Sequence, residues 1–531
     1  MADALPTRLP QPIILVRGFG GFGVEDEKRI AYQGFNDGTV YPQKRGENYI
    51  YEGLVLRFMK SRWQYQDATN VVGYYGAPVA NRDDIPKELG GLDPDFFSGA
   101  KVVIDPAMAL ALVKSPQDPL QTLWVFRYYD LSDRVFETYG RALVRLIDFI
   151  QALARLRSET APKVNIIAHS MGGLIVREAI QNTYKAAGRD AKDYVNKVVT
   201  LGTPHRGISF QFLRHWIRID AEAELEHFNP DNQADKRNET GYLNFSKYFP
   251  PTRVLTVVGT NYRTYDVGVS SVMNRVFSLA DEFGPNYNRS DGLVKQTSAQ
   301  LPGAPRTFVH KCHGGVDSLV TSREAFEVAT RFFFGNIRAQ LNLVRAEVTR
   351  GLDRFGKSEI FFGVSIKPRG VDFDLFHQSA EAENCYGPFS TTDLTDDDVA
   401  FGWGGTDRLI WEGWLDTTAR AISSDRLPGV SDIVMRLDFY VGERDLFGIG
   451  FSDNVIFRKQ YYVRAILEPQ LALQLYDSEK FADGIDGNPM KETENGWEFD
   501  VAGTGFTATL RVSFEKVPER GVPDSPQTDN G

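Results

Sequence analysis

Residues 164–173, VNIIAHSMGG, constrain the fold more than any other part of the chain. A short apolar run typical of a buried parallel strand leads into Ser170, and a stretch compatible with a helix begins directly after it. The small residues Ala168 and Gly172 allow neighbouring backbone to approach the turn closely. Such a turn exposes the serine hydroxyl at the end of the strand and directs the Met171 N–H toward the same point. The segment therefore predicts a sheet that carries a reactive serine at the end of a buried strand.

Strands and helices alternate over the first 340 residues, which is typical of a parallel sheet covered by helices on both faces. The predicted strands are 13–16, 122–129, 164–168, 197–201, 253–258 and 307–309. The predicted helices are 137–157, 172–182 and 322–334, and the first of them has apolar residues at helical spacing.

Two segments, 22–120 and 208–250, are too long to be simple connections between elements of this sheet. We interpret 208–250 as a lid or cap, because it contains apolar stretches that would suit a cover over an acyl-chain pocket. Additional structural padding is the alternative for both segments. The apolar residues in question are Phe210, Phe212, Leu213 and Trp216.

Beyond about residue 340 the pattern changes to short alternating runs separated by Gly, Asp, Asn and Pro, which predicts an all-β, sandwich-like domain. We therefore expect a catalytic domain over 1–338, a β-sandwich-like domain over 339–518 and a disordered tail over 519–531. The predicted strands of the second domain are 359–366, 408–415, 432–441, 455–463, 497–501 and 506–514.

A glycine-rich turn, RGFGG, follows the first predicted strand. We expect Gly18 to let this turn approach the serine and Phe19 to direct its backbone N–H at the same oxyanion as Met171, since two backbone donors form an oxyanion hole. The alternative is a dinucleotide-binding loop built on Gly18, Gly20 and Gly23, but no helical pattern follows at once, as that motif requires.

A nucleophilic serine needs a histidine base, and the base needs an orienting carboxylate. In sheets with this serine turn, both follow the serine in the order acid, then histidine. His313 lies in a glycine-bearing loop after the last predicted strand and is the expected base, with His310 as a strand or supporting residue. Asp291 is the expected acid, and the alternatives are Asp266 and Asp281.

These motifs resemble those of bacterial lipases and related esterases of the α/β-hydrolase superfamily. The resemblance covers roughly residues 10–335 without the two long segments. It implies an α/β-hydrolase fold, Asp291 as the triad acid and Phe19 as an oxyanion donor, and we expect Gly18, Ala168, His169 and Gly172 to support the turns. Arg17 stands where those lipases usually have histidine. The matching pieces are 168–173 (AHSMGG), 201–207 (LGTPHRG), 290–294 (SDGLV) and His313.

The resulting prediction is a serine hydrolase that cleaves carboxylic esters, with lipids or other hydrophobic esters as substrates. A carboxylesterase of small soluble esters and a phospholipase are the alternatives within this class. A non-catalytic binding protein on the same fold is the alternative outside it. The expected mechanism requires no organic cofactor and no metal, and we interpret the acidic run at 396–398 as a solvated loop.

Charge and cysteine content narrow the choice of partners and compartment. From residue 341 onward the chain has 19 basic and 33 acidic residues, so this part should repel nucleic acid and anionic lipid headgroups. The sequence contains neither a run long and apolar enough for a transmembrane helix nor a signal-peptide pattern. We expect a cytoplasmic protein, or a secreted one if a leader has been removed. Cys312 and Cys385 are expected to be reduced thiols, with one disulfide between them as the alternative.

Overall fold

The computed structural model divides into two compact units. The α/β unit comprises Pro10–Ala329, and the β unit takes up the chain from Thr330 onward. This division falls between Ala329 and Thr330, and the strand that begins at Ile337 lies in the β unit. The domain ranges expected from the sequence stay a prediction. The structure describes residues 10–18, 53–72, 82–98, 102, 104–126, 135–157, 161–206, 242–262, 290–314, 318–348, 358–369, 371, 373–380, 382, 384–389, 408–417, 432–445, 454–467, 470–478, 487–503 and 505–517.

A seven-stranded sheet forms the centre of the α/β unit, and every neighbouring pair of its strands is parallel. The order across the sheet is β2-β3-β1-β4-β5-β6-β7, which confirms the predicted parallel sheet. The strands are β1 (Ile13–Val16), β2 (Gln66–Asp67), β3 (Thr122–Phe126), β4 (Val164–His169), β5 (Val195–Leu201), β6 (Val254–Gly259) and β7 (Arg306–Val309).

Helices form because their apolar residues recur at helical spacing and pack on the sheet. In the longest, Leu143, Leu146 and Ile150 are all buried. The helix after β4 continues through a π-helical stretch, Ala179–Thr183. The α-helices are α1 (Leu54–Lys60), α2 (Asp95–Ser98), α3 (Pro106–Lys114), α4 (Phe136–Arg155), α5 (Gly172–Glu178), α6 (Tyr184–Ala186) and α7 (Arg323–Phe334); the 3-10 helices are Arg82–Asp84, Lys87–Leu89, Ala191–Asp193, Tyr242–Lys247 and Pro251–Arg253.

The two long segments contribute to the core wherever they are described. In 22–120, strand β2 extends the sheet, and Phe97 and Ile104 are buried in the same hydrophobic cluster as the sheet residues. In 208–250, Phe245 and Phe249 join that cluster. These parts are integral to the α/β unit because their apolar side chains pack in its core. Phe210, Phe212, Leu213 and Trp216, on which the lid interpretation rests, lie outside the described residues.

Beyond the end of α7, two antiparallel sheets make up the described part of the β unit, which confirms the all-β prediction. Their facing sides pack through aromatic rings: Phe506 lies 6.0 Å from Phe362 and 5.2 Å from Phe457 between ring centroids. One sheet has the order β10-β9-β12-β13-β14-β15 and the other β11-β8-β18-β17-β16. The strands are β8 (Ile337–Val348), β9 (Ser358–Pro368), β10 (Tyr386–Phe389), β11 (Leu409–Leu415), β12 (Asp432–Asp445), β13 (Asn454–Ile466), β14 (Ala472–Asp477), β15 (Asn488–Pro489), β16 (Lys491–Thr493), β17 (Gly496–Gly503) and β18 (Phe506–Lys516).

Candidate active site

Ser170 lies on a strained turn between β4 and α5. Its φ of 55° falls in the left-handed region, which non-glycine residues occupy only when the surrounding structure enforces it. Close backbone packing provides that constraint. A Cβ on Gly172 would lie 2.4 Å from the Val16 carbonyl oxygen, and one on Gly18 would lie 2.8 Å from the Met171 nitrogen. Only glycine fits at either position, so the ends of β1 and β4 can meet at the serine.

A continuous chain of hydrogen bonds connects Ser170, His313 and Asp291. His313 Nε2 lies 2.9 Å from Ser170 Oγ, and His313 Nδ1 lies 2.8 Å from Asp291 Oδ2. Because a carboxylate oxygen only accepts, Nδ1 carries the proton and Nε2 is left to accept the Ser170 hydroxyl proton. His313 and Asp291 are 3% and 1% exposed, so water hardly competes for these bonds.

Backbone donors hold the Asp291 carboxylate in place. Oδ1 accepts from the N–H groups of Leu293 and Val294, at 3.0 and 2.7 Å, and this leaves Oδ2 for His313. Glycines make room for the carboxylate. A Cβ on Gly202 would lie 2.7 Å from Asp291 Oδ2, and one on Gly259 would lie 2.7 Å from Asp291 Cβ. The acid is therefore packed between the ends of β5 and β6.

His169, expected to support the turn, contacts His313 directly. Its Nε2 lies 2.9 Å from the His313 carbonyl oxygen, and the two rings are 4.8 Å apart between centroids. Burial, with smaller contributions from the nearby His313 and Arg17, lowers the pKa of His169 well below its usual value. The ring is therefore neutral, and its proton is on Nε2 because a carbonyl oxygen can only accept.

Of the two expected oxyanion donors, Met171 lies within the described residues. Met171 is the N-cap residue of α5, so its N–H is among the groups at a helix start that have no partner within the helix. Ala168 is fully buried in β4 and pairs with Val16 on one side and Thr200 on the other. Phe19 lies outside the described residues.

Two other histidines form hydrogen bonds elsewhere in the unit. His310 is exposed, with Nδ1 3.1 Å from Thr260 Oγ1. His205 is buried, with Nε2 3.0 Å from Thr200 Oγ1. Asp266 and Asp281 lie outside the described residues. Sequence reasoning missed Gly202 and Gly259; their positions at the ends of β5 and β6 were the available signal.

Over the described ranges, no group of three or more His, Cys, Asp or Glu side chains is arranged to hold a metal ion. Cys312 and Cys385 are both buried, and they are not joined in a disulfide. No helix among the residues placed by the structure is both long and apolar enough to cross a membrane.

Comparisons with known proteins give one family match and several structural similarities. None of the curated proteins is significantly similar to the chain in sequence. The chain is similar to the mature Bacillus licheniformis lipase BlEst2 (20% identity over 40% of this chain and 78% of that one, TM-score 0.25). It is also similar to the lin2722 product of Listeria innocua (12% identity, 61% and 94%, TM-score 0.28). A third similarity is to the Legionella pneumophila phospholipase PlaB (11% identity, 78% and 98%, TM-score 0.26).

The family match covers the Ser170 turn. Residues 124–266 match the model described as PGAP1-like alpha/beta domain, a range that includes Ser170 but ends before Asp291 and His313. The parallel sheet, the serine turn after β4 and the acid and histidine beyond β6 and β7 follow the arrangement that the sequence motifs predicted. The α/β unit of this chain has the α/β-hydrolase fold.

Proposed function

We propose that this protein hydrolyses carboxylic esters, with Ser170 as nucleophile, His313 as general base and acid, and Asp291 as the residue that orients His313. The hydrogen-bonded chain Ser170–His313–Asp291 carries the proposal, because both imidazole nitrogens are within 2.9 Å of the atoms that the chemistry requires. The left-handed conformation of Ser170 further supports it, since backbone strain of this kind is characteristic of functional sites.

Acylation follows from these positions. Ser170 Oγ attacks the ester carbonyl carbon while its proton passes to His313 Nε2. The carbonyl π electrons move onto oxygen, which the Met171 N–H and, as we propose, the Phe19 N–H stabilise. When the C–O bond to the alcohol breaks, His313 returns the proton to the departing oxygen and an acyl-serine remains. Asp291 stabilises the transient imidazolium without taking its proton.

Deacylation repeats the steps with water as nucleophile. His313 removes a proton from the water as it attacks the acyl carbon, and the same backbone donors stabilise the second oxyanion. Collapse returns the proton to Ser170 Oγ and releases the carboxylic acid. In comparable enzymes, removal of one oxyanion donor lowers the rate by roughly 10²–10³-fold.

For the substrate, we propose hydrophobic esters, including lipids. The support is in the sequence: residues 208–250 carry Phe210, Phe212, Leu213 and Trp216 close behind β5, whose carboxyl end lies at the site. Such residues would suit a cover over an acyl chain. Small soluble esters and phospholipids are the competing substrates within the same chemistry.

Fluorophosphonate labelling tests the nucleophile. We expect the wild-type protein to be labelled and Ser170→Ala not to be, because the probe phosphonylates only an activated serine. Ser98→Ala, an exposed serine at the end of α2, is the matched control and should be labelled like the wild type. An unlabelled wild-type protein would favour the non-catalytic binding protein and contradict the proposal.

A panel of p-nitrophenyl esters and phospholipids tests the substrate class on the same preparations. We expect hydrolysis to increase from acetyl to long-chain acyl esters and to be absent in Ser170→Ala. A preference for the acetyl ester would instead identify a carboxylesterase of soluble substrates. Faster release of fatty acid from phospholipid than from simple long-chain esters would identify a phospholipase.

A further inference from the structure

We infer that His169 is a positioning residue that fixes His313 between Ser170 and Asp291. The inference rests on the proposed function. His169 directly precedes Ser170 in the chain, and its Nε2–H donates to the His313 carbonyl oxygen at 2.9 Å. The residue next to the nucleophile therefore holds the backbone of the residue that activates the nucleophile.

Both polar backbone atoms of His313 are held by neighbours in the site. Its N–H donates to the Asp291 carbonyl oxygen at 2.8 Å, and its carbonyl accepts from His169. The first bond ties the histidine loop to the acid, and the second ties it to the nucleophile. Together with the Ser170 Oγ to His313 Nε2 contact, the second bond closes a ring through the Ser170–His169 peptide bond. This ring sets how far the imidazole lies from the serine.

The His169 ring also restricts the orientation of the His313 ring. The two rings lie 4.8 Å apart between centroids with an interplanar angle of 41°. His169 is 7% exposed, so its side chain has little room to move. A His313 ring rotated away from its present plane would lose one of its two hydrogen bonds or meet His169.

Neutrality of His169 is compatible with the reaction. Burial disfavours a second proton on its ring most strongly, followed by the His313 ring when that ring is cationic and by Arg17; only the bond to the His313 carbonyl acts in the opposite direction. A neutral His169 places no full positive charge beside the His313 imidazolium that forms during acylation. It can therefore donate a hydrogen bond to the loop without opposing the charge that catalysis creates.

A purely space-filling His169 is the competing explanation, and a pair of variants distinguishes the two. Gln and Met have nearly the same shape, but only the Gln amide nitrogen can reach the position of Nε2 and donate. We expect His169→Met to lose about 10–100-fold in kcat, with KM changed less than about twofold, because small misplacement of a base is costly. We expect His169→Gln to recover most of that loss.

The measurements are kcat and KM on the best ester of the panel, the rate of fluorophosphonate inactivation, and Tm to confirm folding. Equal activities of His169→Gln and His169→Met, or a change in KM alone, would overturn the inference. If His169→Met does not fold, His169→Asn takes its place as the variant without the bond, because the shorter asparagine amide does not reach the His313 carbonyl. Equal activities of His169→Asn and His169→Gln would then overturn the inference. Wild-type labelling is measured first, so failure of the proposed function is recognised separately.

Discussion

At the scale of single residues, the candidate site depends on glycines as much as on the hydrogen-bonded side chains of Ser170, His313 and Asp291. That Ser170, Asp291 and His313 come together was predictable because their residue types and chain order are visible in the sequence. The role of Gly202 was not, since it depends on Asp291, which is 89 residues away in the chain. A Cβ there would lie 2.7 Å from Asp291 Oδ2 and 3.1 Å from His313 Nδ1, the two atoms of the hydrogen bond between these residues.

Replacing Gly202 should therefore damage catalysis more than stability. We expect Gly202→Ala to lower kcat by about 10²-fold, because the added methyl group separates Asp291 from His313. The φ of +54° adds strain of about 1 kcal/mol. Gly188→Ala is the matched control: its φ is +67°, with nothing within 4 Å of an added Cβ. It should show similar strain in urea unfolding but wild-type kcat, and equal kcat in both variants would contradict this account.

Buried His205 should make stability sensitive to acid. Burial, and then the nearby Arg177 guanidinium, lowers its pKa well below the usual value, so the folded protein resists protonation that the unfolded chain accepts at about pH 6.5. Stability should be complete above that pH and fall below it, by up to about 1.4 kcal/mol per pH unit for each such histidine. Urea unfolding between about pH 8 and about pH 5.5 measures this. The free energy of unfolding should depend less on pH in His205→Gln, but not in His310→Gln, because His310 is exposed. An unchanged pH dependence in His205→Gln would show that His205 is not its source.

At the scale of elements, hydrophobic periodicity predicted helices and strands that bury an apolar face of their own. The predicted helix 137–157 is observed as α4, Phe136–Arg155, and the predicted strand 164–168 as β4, because each buries a continuous apolar face. Strand β2 has two residues, too few to show a period, and exists through its pairing with β3. Local pattern therefore finds elements that bury a face of their own, and misses those that long-range pairing creates.

Strand β8 is not among the strands predicted from the sequence. Its sequence, IRAQLNLVRAEV, is rich in helix formers and follows helix α7 after only Gly335 and Asn336. Its buried and part-exposed residues nevertheless alternate over the first eight positions. Pairing with β11 on one side and β18 on the other makes it a strand, and these partners lie far away in the chain. Tertiary pairing here overrides helical propensity.

At the scale of the whole molecule, the two units divide within one helix. Phe326, near the start of α7, packs on Phe58 of α1 at 5.0 Å between ring centroids, and both belong to the α/β unit. Phe332, in the last turn, packs on Trp414 of β11 at 4.6 Å, and both belong to the β unit. A domain boundary inside a helix leaves no change of composition to detect, so the sequence could place it only approximately.

Each unit buries apolar side chains of its own, so we expect the two units to unfold in two separate transitions. Phe332→Ala should destabilise the β unit by about 3–5 kcal/mol, because Phe332 is fully buried and its removal leaves a cavity. Phe326→Ala is its counterpart in the same helix and should destabilise the α/β unit instead.

Calorimetry resolves the two unfolding transitions, and fluorophosphonate labelling during heating identifies the transition of the unit that contains Ser170. Labelling should be lost earlier in Phe326→Ala but not in Phe332→Ala. A single transition that both variants shift equally would show that the chain unfolds as one cooperative body.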